Sequence, residues 1–100
     1  MTEAEFLAQV LDLARLLGWR TLHLRPARTA RGWRTAVAGE GKGFFDLILV
    51  RERVVFVELK SEKGRLTIEQ QGWLEAMKKA GQEVYIWRPS TWSEIVNVLK

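Results

Sequence analysis

The sequence has no cysteine, so neither a disulfide framework nor a thiolate metal site is open to it. It has no apolar run long enough to span a bilayer, and its opening "MTEAEFLAQVLDLARLLGW" lacks a basic leader and a cleavage site. These absences point to a soluble protein of the cytoplasm (the host's, were the source viral) with no membrane partner. Internal repeats are missing, and 100 residues leave no room for a second domain. One domain over residues 1–100 is expected. Acidic residues are missing from one further stretch: Arg20, Arg25, Arg28, Arg31 and Arg34 follow one another with no Asp or Glu between them.

What is present is a chain with 47% hydrophobic residues, enough to fold rather than remain disordered. Its net charge is +4, by itself a weak pointer to polyanionic partners. The arginine block says more. It reads as a phosphate-contacting segment, continued by Lys42, with Trp33 placed to stack on a base or sugar. The alternative is a loop that its charge merely keeps solvated.

Residues Thr2 to Leu17 repeat apolar side chains (Phe6, Val10, Leu13, Leu17) at three- and four-residue steps, the mark of an amphipathic helix. Thr2 suits its N-cap, Glu3 and Glu5 suit its first turn, and Gly18 suits its end. "WRTLHL", Trp19 to Leu24, alternates like a strand. Pro26 to Lys42 shows no sustained period and reads as a long structureless loop, of the kind that is usually functional or disordered. Phe44 to Val50 and Val54 to Lys60 read as an antiparallel hairpin around Arg51–Arg53. "TIEQ" is a capping box, Thr67 with Gln70, opening a helix from Ile68 to about Lys79 that Gly81 closes. "EVYIW" is a strand and "STWSEIVNVLK" a closing helix capped by Ser90 or Thr91. The fold class is therefore α/β, a mixed sheet flanked by helices in the order α-β-loop-β-β-α-β-α. Trp19, Trp73 and Trp87 fall on core positions, and Trp92 suits core or interface.

The hairpin carries three charges inside apolar runs. Residues two apart in a strand share a face, so Glu58 and Lys60 project together with Val54 and Phe56, while Val55, Val57 and Leu59 line the buried side. Glu58 follows four apolar residues, a costly place for a carboxylate without a cation. Pairing about the turn sets Asp46 level with Glu58. Two carboxylates at one sheet end raise each other's pKa unless a cation lies between them. Mg²⁺ suits such a pair together with a backbone carbonyl and waters, and Lys60 would orient or deprotonate the attacking water or stabilise charge on a phosphate. A solvated cross-strand cluster with Lys60 as counter-ion is the other reading of the same residues.

Asp46 followed by Glu58-Leu59-Lys60 resembles the D…(D/E)-x-K signature of the PD-(D/E)XK nuclease superfamily. More narrowly, "GFFDLILV…VVFVELKSEKGRLTIEQQGWLEAMKKAGQEVYIWRP" is similar to the VRR-NUC (virus-type replication-repair nuclease) family. Its members carry Gly-x-Pro-Asp-Leu, then Glu-x-Lys-Ser, then Gly-(Arg/Lys)-Leu-x-x-x-Gln before the second helix. Phe45 departs from that pattern, standing where the family has proline.

The resemblance implies a restriction-endonuclease-like core and an Mg²⁺- or Mn²⁺-dependent DNA endonuclease. It assigns Asp46 and Glu58 as metal ligands with the Leu59 carbonyl as a third, and Lys60 as the catalytic lysine. It gives Gln70 a supporting place, alongside its cap, and asks for an acid from the first helix, Glu3 in preference to Glu5. His23, a lone histidine, receives no catalytic role. Stand-alone members resemble homodimeric Holliday-junction resolvases, so the implied enzyme is a dimer cutting branched DNA. A nickase or flap nuclease working with a phage or repair partner is the rival among enzymes. A catalytically silent nucleic-acid-binding module is a rival of another class, as is an RNA-binding or assembly protein using the arginines alone.

Overall fold

The computed structural model describes residues 1–24, 26–29, 32–35 and 41–100, the two short middle segments by their backbone alone. Helix α1 (Glu3–Leu16) opens on a reciprocal cap. The Thr2 hydroxyl accepts from the Glu5 N–H, and the Glu5 carboxylate accepts from the Thr2 N–H. Two of the donors a helix start leaves orphaned are thereby satisfied. Gly18, at φ 88°, turns the chain out of α1 through a conformation that a side chain would strain.

Strand β1 (Arg20–His23) leads to β2 (Pro26–Thr29) and β3 (Gly32–Thr35), then β4 (Leu47–Val50) and β5 (Val54–Leu59). Helix α2 (Ile68–Lys79), β6 (Glu83–Trp87), a 3₁₀ turn (Pro89–Thr91) and α3 (Trp92–Leu99) complete the order. The main sheet runs β1-β4-β5-β6. Its first two pairings are antiparallel and β5–β6 is parallel, so the chain needs a crossover there, and α2 supplies it. This is the mixed sheet flanked by helices that the sequence predicts, compatible with a restriction-endonuclease-like fold.

The structureless reading of Pro26 to Lys42 is corrected in part. β2 and β3 form a separate antiparallel pair with Pro26 opposite Thr35 and Thr29 opposite Gly32. Each strand is four residues long, too short for a period of two to stand out from the arginine-rich background.

One sheet face meets α1 and α3. Phe6, Val10, Leu11 and Ala14 pack there with Leu47, Leu49, Val55, Val57, Leu59, Trp87, Ile95 and Leu99. The opposite face carries Phe56 and Glu58, and there Phe44, Phe45, Phe56 and Trp73 form a chain of aromatic contacts. Trp73 belongs to this cluster rather than to the core expected of it. It is half-buried, because α2 lies over the sheet without burying a single residue completely. Phe45, the departure from the family pattern, is 3% exposed, and its ring meets those of both Phe44 and Phe56. Trp92 packs against the core. Among the described residues no helix is long and apolar enough to cross a membrane.

At the turn end of the β4–β5 hairpin, Trp19 donates its indole N–H to the Leu99 carbonyl at 2.9 Å. The Arg51 and Arg53 guanidinium carbons lie 4.6 and 5.1 Å from its ring centre. Arg51 donates to the carbonyls of Leu17, Leu99 and Lys100, and Arg53 to that of Val98. The turn's cations thus cap the carbonyl ends of α1 and α3, where helix dipoles favour positive charge.

Candidate active site

The other end of the same hairpin is built differently. Leu47 pairs with Val57, and the same register carried one residue further sets Asp46 against Glu58. There the ladder gives way to a side chain: Asp46 Oδ2 accepts from the Leu59 N–H at 3.0 Å. On its other side the Asp46 carbonyl accepts from the Leu24 N–H at 2.9 Å. Asp46 is therefore anchored to the chain beyond β1 by its backbone and to β5 by its carboxylate.

Gly43 decides how the approach to Asp46 meets α2. Its φ is 81°, and a Cβ there would lie 2.6 Å from Glu69 Cβ and 2.8 Å from the Gln70 nitrogen. Only glycine permits this contact. Gln70 then faces two ways. Its side-chain oxygen accepts from the Thr67 N–H at 2.9 Å, and its side-chain nitrogen donates to Glu58 Oε1 at 2.8 Å. The cap fixes which end is oxygen, and so leaves the NH₂ for the carboxylate. Lys60 Nζ stands 3.9 Å from the same Glu58 oxygen. The loop leaving Lys60 is clamped: Arg88 Nη1 donates to the carbonyls of Ser61 at 2.6 Å and Gly64 at 2.7 Å, and Glu62 accepts from the Ser90 N–H.

Glu58 is 4% exposed, the one charged residue buried among those described. The burial pattern along β5 alternates until it reaches Glu58 and breaks there. Burial above all, then the charge of Asp46, a hydrogen bond with Asp46 and the charge of Glu3 push its pKa up, to about 8, against the pull of Lys60. Two carboxylates close enough to share a proton are also placed to share a cation. Among the described residues no group of three or more His, Cys, Asp or Glu side chains could hold a metal ion by itself. The donor set on offer is two carboxylates with the main chain of Leu59 beside them. That is a hard-oxygen set leaving positions for water, which fits Mg²⁺ or Mn²⁺ in kind.

A pocket of about 250 Å³ opens at this sheet end, lined by Glu3, Ala4, Leu7, His23, Asp46 and Leu59. Glu5 is taken up by the α1 cap, and Glu3 is the acid that reaches the pocket. His23, given no catalytic role in the sequence reading, lies in the same wall. The signal for it was positional, since His23 pairs with Leu47, the neighbour of Asp46. Arg88 was missed as well. Its signal is the parallel register that sets Trp87 beside Leu59, so that the next residue overhangs the loop after Lys60.

The basic residues singled out for nucleic acid do not all gather at this site. Arg20 is exposed but pairs with Val50 at the turn end of the sheet. Arg25 and Arg31 lie outside the described residues, and Arg28, Trp33 and Arg34 sit on β2 and β3, of which the backbone alone is described. Lys42 is close by: it pairs with Glu69 at 3.1 Å, one residue before Gly43, with its side chain 85% exposed.

Compared with known protein families, the sequence matches the VRR-NUC domain over residues 6–90, from the first buried residue of α1 to the 3₁₀ turn before α3. No curated protein and no solved structure matches it.

Proposed function

The chain belongs to the VRR-NUC family, whose domain implies nuclease function with DNA as substrate, and from that premise we propose a divalent-cation-dependent endonuclease that cuts branched DNA as a homodimer. The observation that carries this reading is a carboxylate, Glu58, 4% exposed and pressed against a second one. Folding alone gives no reason to bury a carboxylate beside another one.

In this reading Asp46, Glu58 and the Leu59 carbonyl hold Mg²⁺ or Mn²⁺. When bound, the ion supplies Lewis-acid polarisation of water and of the phosphate. The chain's own residues do the rest. Gln70 holds one oxygen of Glu58 by its NH₂ and so fixes the carboxylate plane. Lys60, on the same strand face, meets the negative charge that develops on the phosphate or orients the attacking water. Glu3 adds an acid from the opposite wall. Arg20, Arg25, Arg28, Arg31, Arg34 and Lys42 contact the DNA backbone and Trp33 a base, so affinity falls steeply with salt and base readout is slight.

The test is cleavage of a labelled four-way junction, a flap and a plain duplex with Mg²⁺ or Mn²⁺, beside Glu58→Ala. The expected result is metal-dependent cutting of a branched substrate that the variant loses. Absence of cutting on every substrate, or equal cutting by the variant, would sink the reading. Light scattering on the eluting protein tests the dimer separately, a monomer mass at working concentration refuting it.

A further inference from the structure

Beside the carboxylate end lies a second cleft, of about 440 Å³, lined by Lys42, Glu69, Gly72, Trp73 and Ala76. Its size falls in the roughly 300–1,000 Å³ range of clefts that take small ligands. Four of these residues, at spacings of three, one and three, make one face of α2. Gly72 is the odd member. Glycine inside a helix is unfavourable against alanine, yet neither backbone nor packing demands it: its φ is not left-handed, and a Cβ there would meet nothing within 4 Å. What Gly72 provides is room in the cleft.

Trp73 supplies the wall next to that room. Its indole N–H donates to the Lys42 carbonyl at 3.2 Å, and Phe44 meets it edge to face with centroids 5.0 Å apart. The ring is thus held in one orientation from two sides. Lys42 and Glu69 form an ion pair at the rim, so the charges of the described lining residues offset one another. A flat, uncharged group would find there an aromatic wall and two small residues. The cleft is tied to the carboxylates through Gly43 against Gln70, and Gln70 against Glu58.

We infer that the Gly72–Trp73–Ala76 face of α2 is a stacking subsite for one unpaired nucleotide of the DNA substrate, next to the scissile phosphate. The inference rests on the nuclease reading for its choice of DNA. A base inside a duplex has both faces covered by its neighbours, while an unpaired base offers a face to an indole. The subsite therefore favours flaps and branch points with an unpaired nucleotide over a fully paired duplex.

The test uses a flap substrate carrying 2-aminopurine, stepped nucleotide by nucleotide along the unpaired arm. It is titrated in EDTA with the wild type, Trp73→Ala, Trp73→Phe and Gly72→Gln. Gly72→Gln deletes no contact and introduces a better helix former into open space, so it folds and only fills the cleft. Wild type is expected to quench the probe at one position. Trp73→Phe keeps the quenching in part, and Trp73→Ala and Gly72→Gln lose it. Affinity in Trp73→Ala falls roughly 5- to 150-fold, the equivalent of one stacked base. Unchanged quenching and affinity in both Trp73→Ala and Gly72→Gln overturns the subsite, even where the wild type cuts the flap normally. Conversely, wild-type quenching without metal-dependent cutting keeps the subsite and refutes the nuclease reading alone.

Discussion

At the turn end of the β4–β5 hairpin, Arg51 and Arg53 flank Trp19 and donate to four helix-end carbonyls, while Glu52 and Glu83 pair with them. At the open end, Asp46 and Glu58 face each other with one lysine 3.9 Å away. Both ends are rich in charge within a short span of chain. At the first, each cation has carbonyl or carboxylate partners, and the acid Glu52 is held down to a pKa of about 2, chiefly by its hydrogen bond to Arg51. At the second, the acid is pushed up to about 8. The same two strands thus end in one cluster whose acid is held ionised and one whose acid resists ionisation. The second cluster has the character of a site, since a cation beside it would favour the ionised form.

The largest expected effect separates the two ends by chemistry. Lys60→Ala should lower single-turnover cutting by roughly 10²–10⁴-fold with the circular dichroism of the fold retained. At the turn end, Trp19→Ala should do the reverse. Trp19 is 3% exposed and joins β1 to the end of α3, so its removal should cost roughly 3–5 kcal/mol in denaturant unfolding. Cutting per folded molecule in the cold should stay at the wild-type rate. Loss of chemistry in Trp19→Ala at full foldedness would break the division.

Much of this contrast was legible in the sequence, though unevenly. Asp46 opposite Glu58 followed from strand period and turn position, because register propagates along a hairpin. Gln70 was legible as a cap from "TIEQ", but its bond to Glu58 depends on the approach of Gly43 to α2, a tertiary contact without local signature. Arg51 and Arg53 looked like an ordinary polar turn, since the carbonyls they cap lie 34 to 49 positions away in the chain. Trp73 was misplaced because a large aromatic at helical spacing usually marks a core-facing stripe, and nothing in α2 itself says that the helix rides high on the sheet. β2 and β3 were missed through sheer shortness.

A smaller effect concerns pH. In the metal-free protein Glu58 has a folded-state pKa of about 8 against an ordinary value of 4.5. Between those values the folded state binds a proton that the unfolded chain has released, so stability falls as pH rises from about 4.5 to 8 and levels off above. Burial, Asp46 and Glu3 set that direction, and Lys60 opposes it. Urea unfolding in EDTA at pH 5 and pH 8.5 should show the wild type weaker at the higher pH. The drop is of the order of a few kcal/mol, and Glu58→Gln should flatten most of it. A wild type equally stable at both values would mean that the open end is no more strained than the turn end.

The smallest effect isolates the two roles of Gln70. Thr67→Ala removes the hydroxyl that accepts from the Gln70 N–H at 3.1 Å but leaves the Gln70 NH₂ on Glu58. Losing an N-cap of this kind costs about 1 kcal/mol, readable in urea unfolding, and cutting should change less than about threefold. Gln70→Ala loses the cap's other half and also frees the Glu58 carboxylate, so a stability loss of similar size should come with a much larger fall in cutting. If the two variants lose cutting in equal proportion, Gln70 acts through the position of α2 alone and its bond to Glu58 contributes nothing to the chemistry. If they diverge, the side chain that caps the start of α2 is also the one that orients the buried acid at the open end of the hairpin.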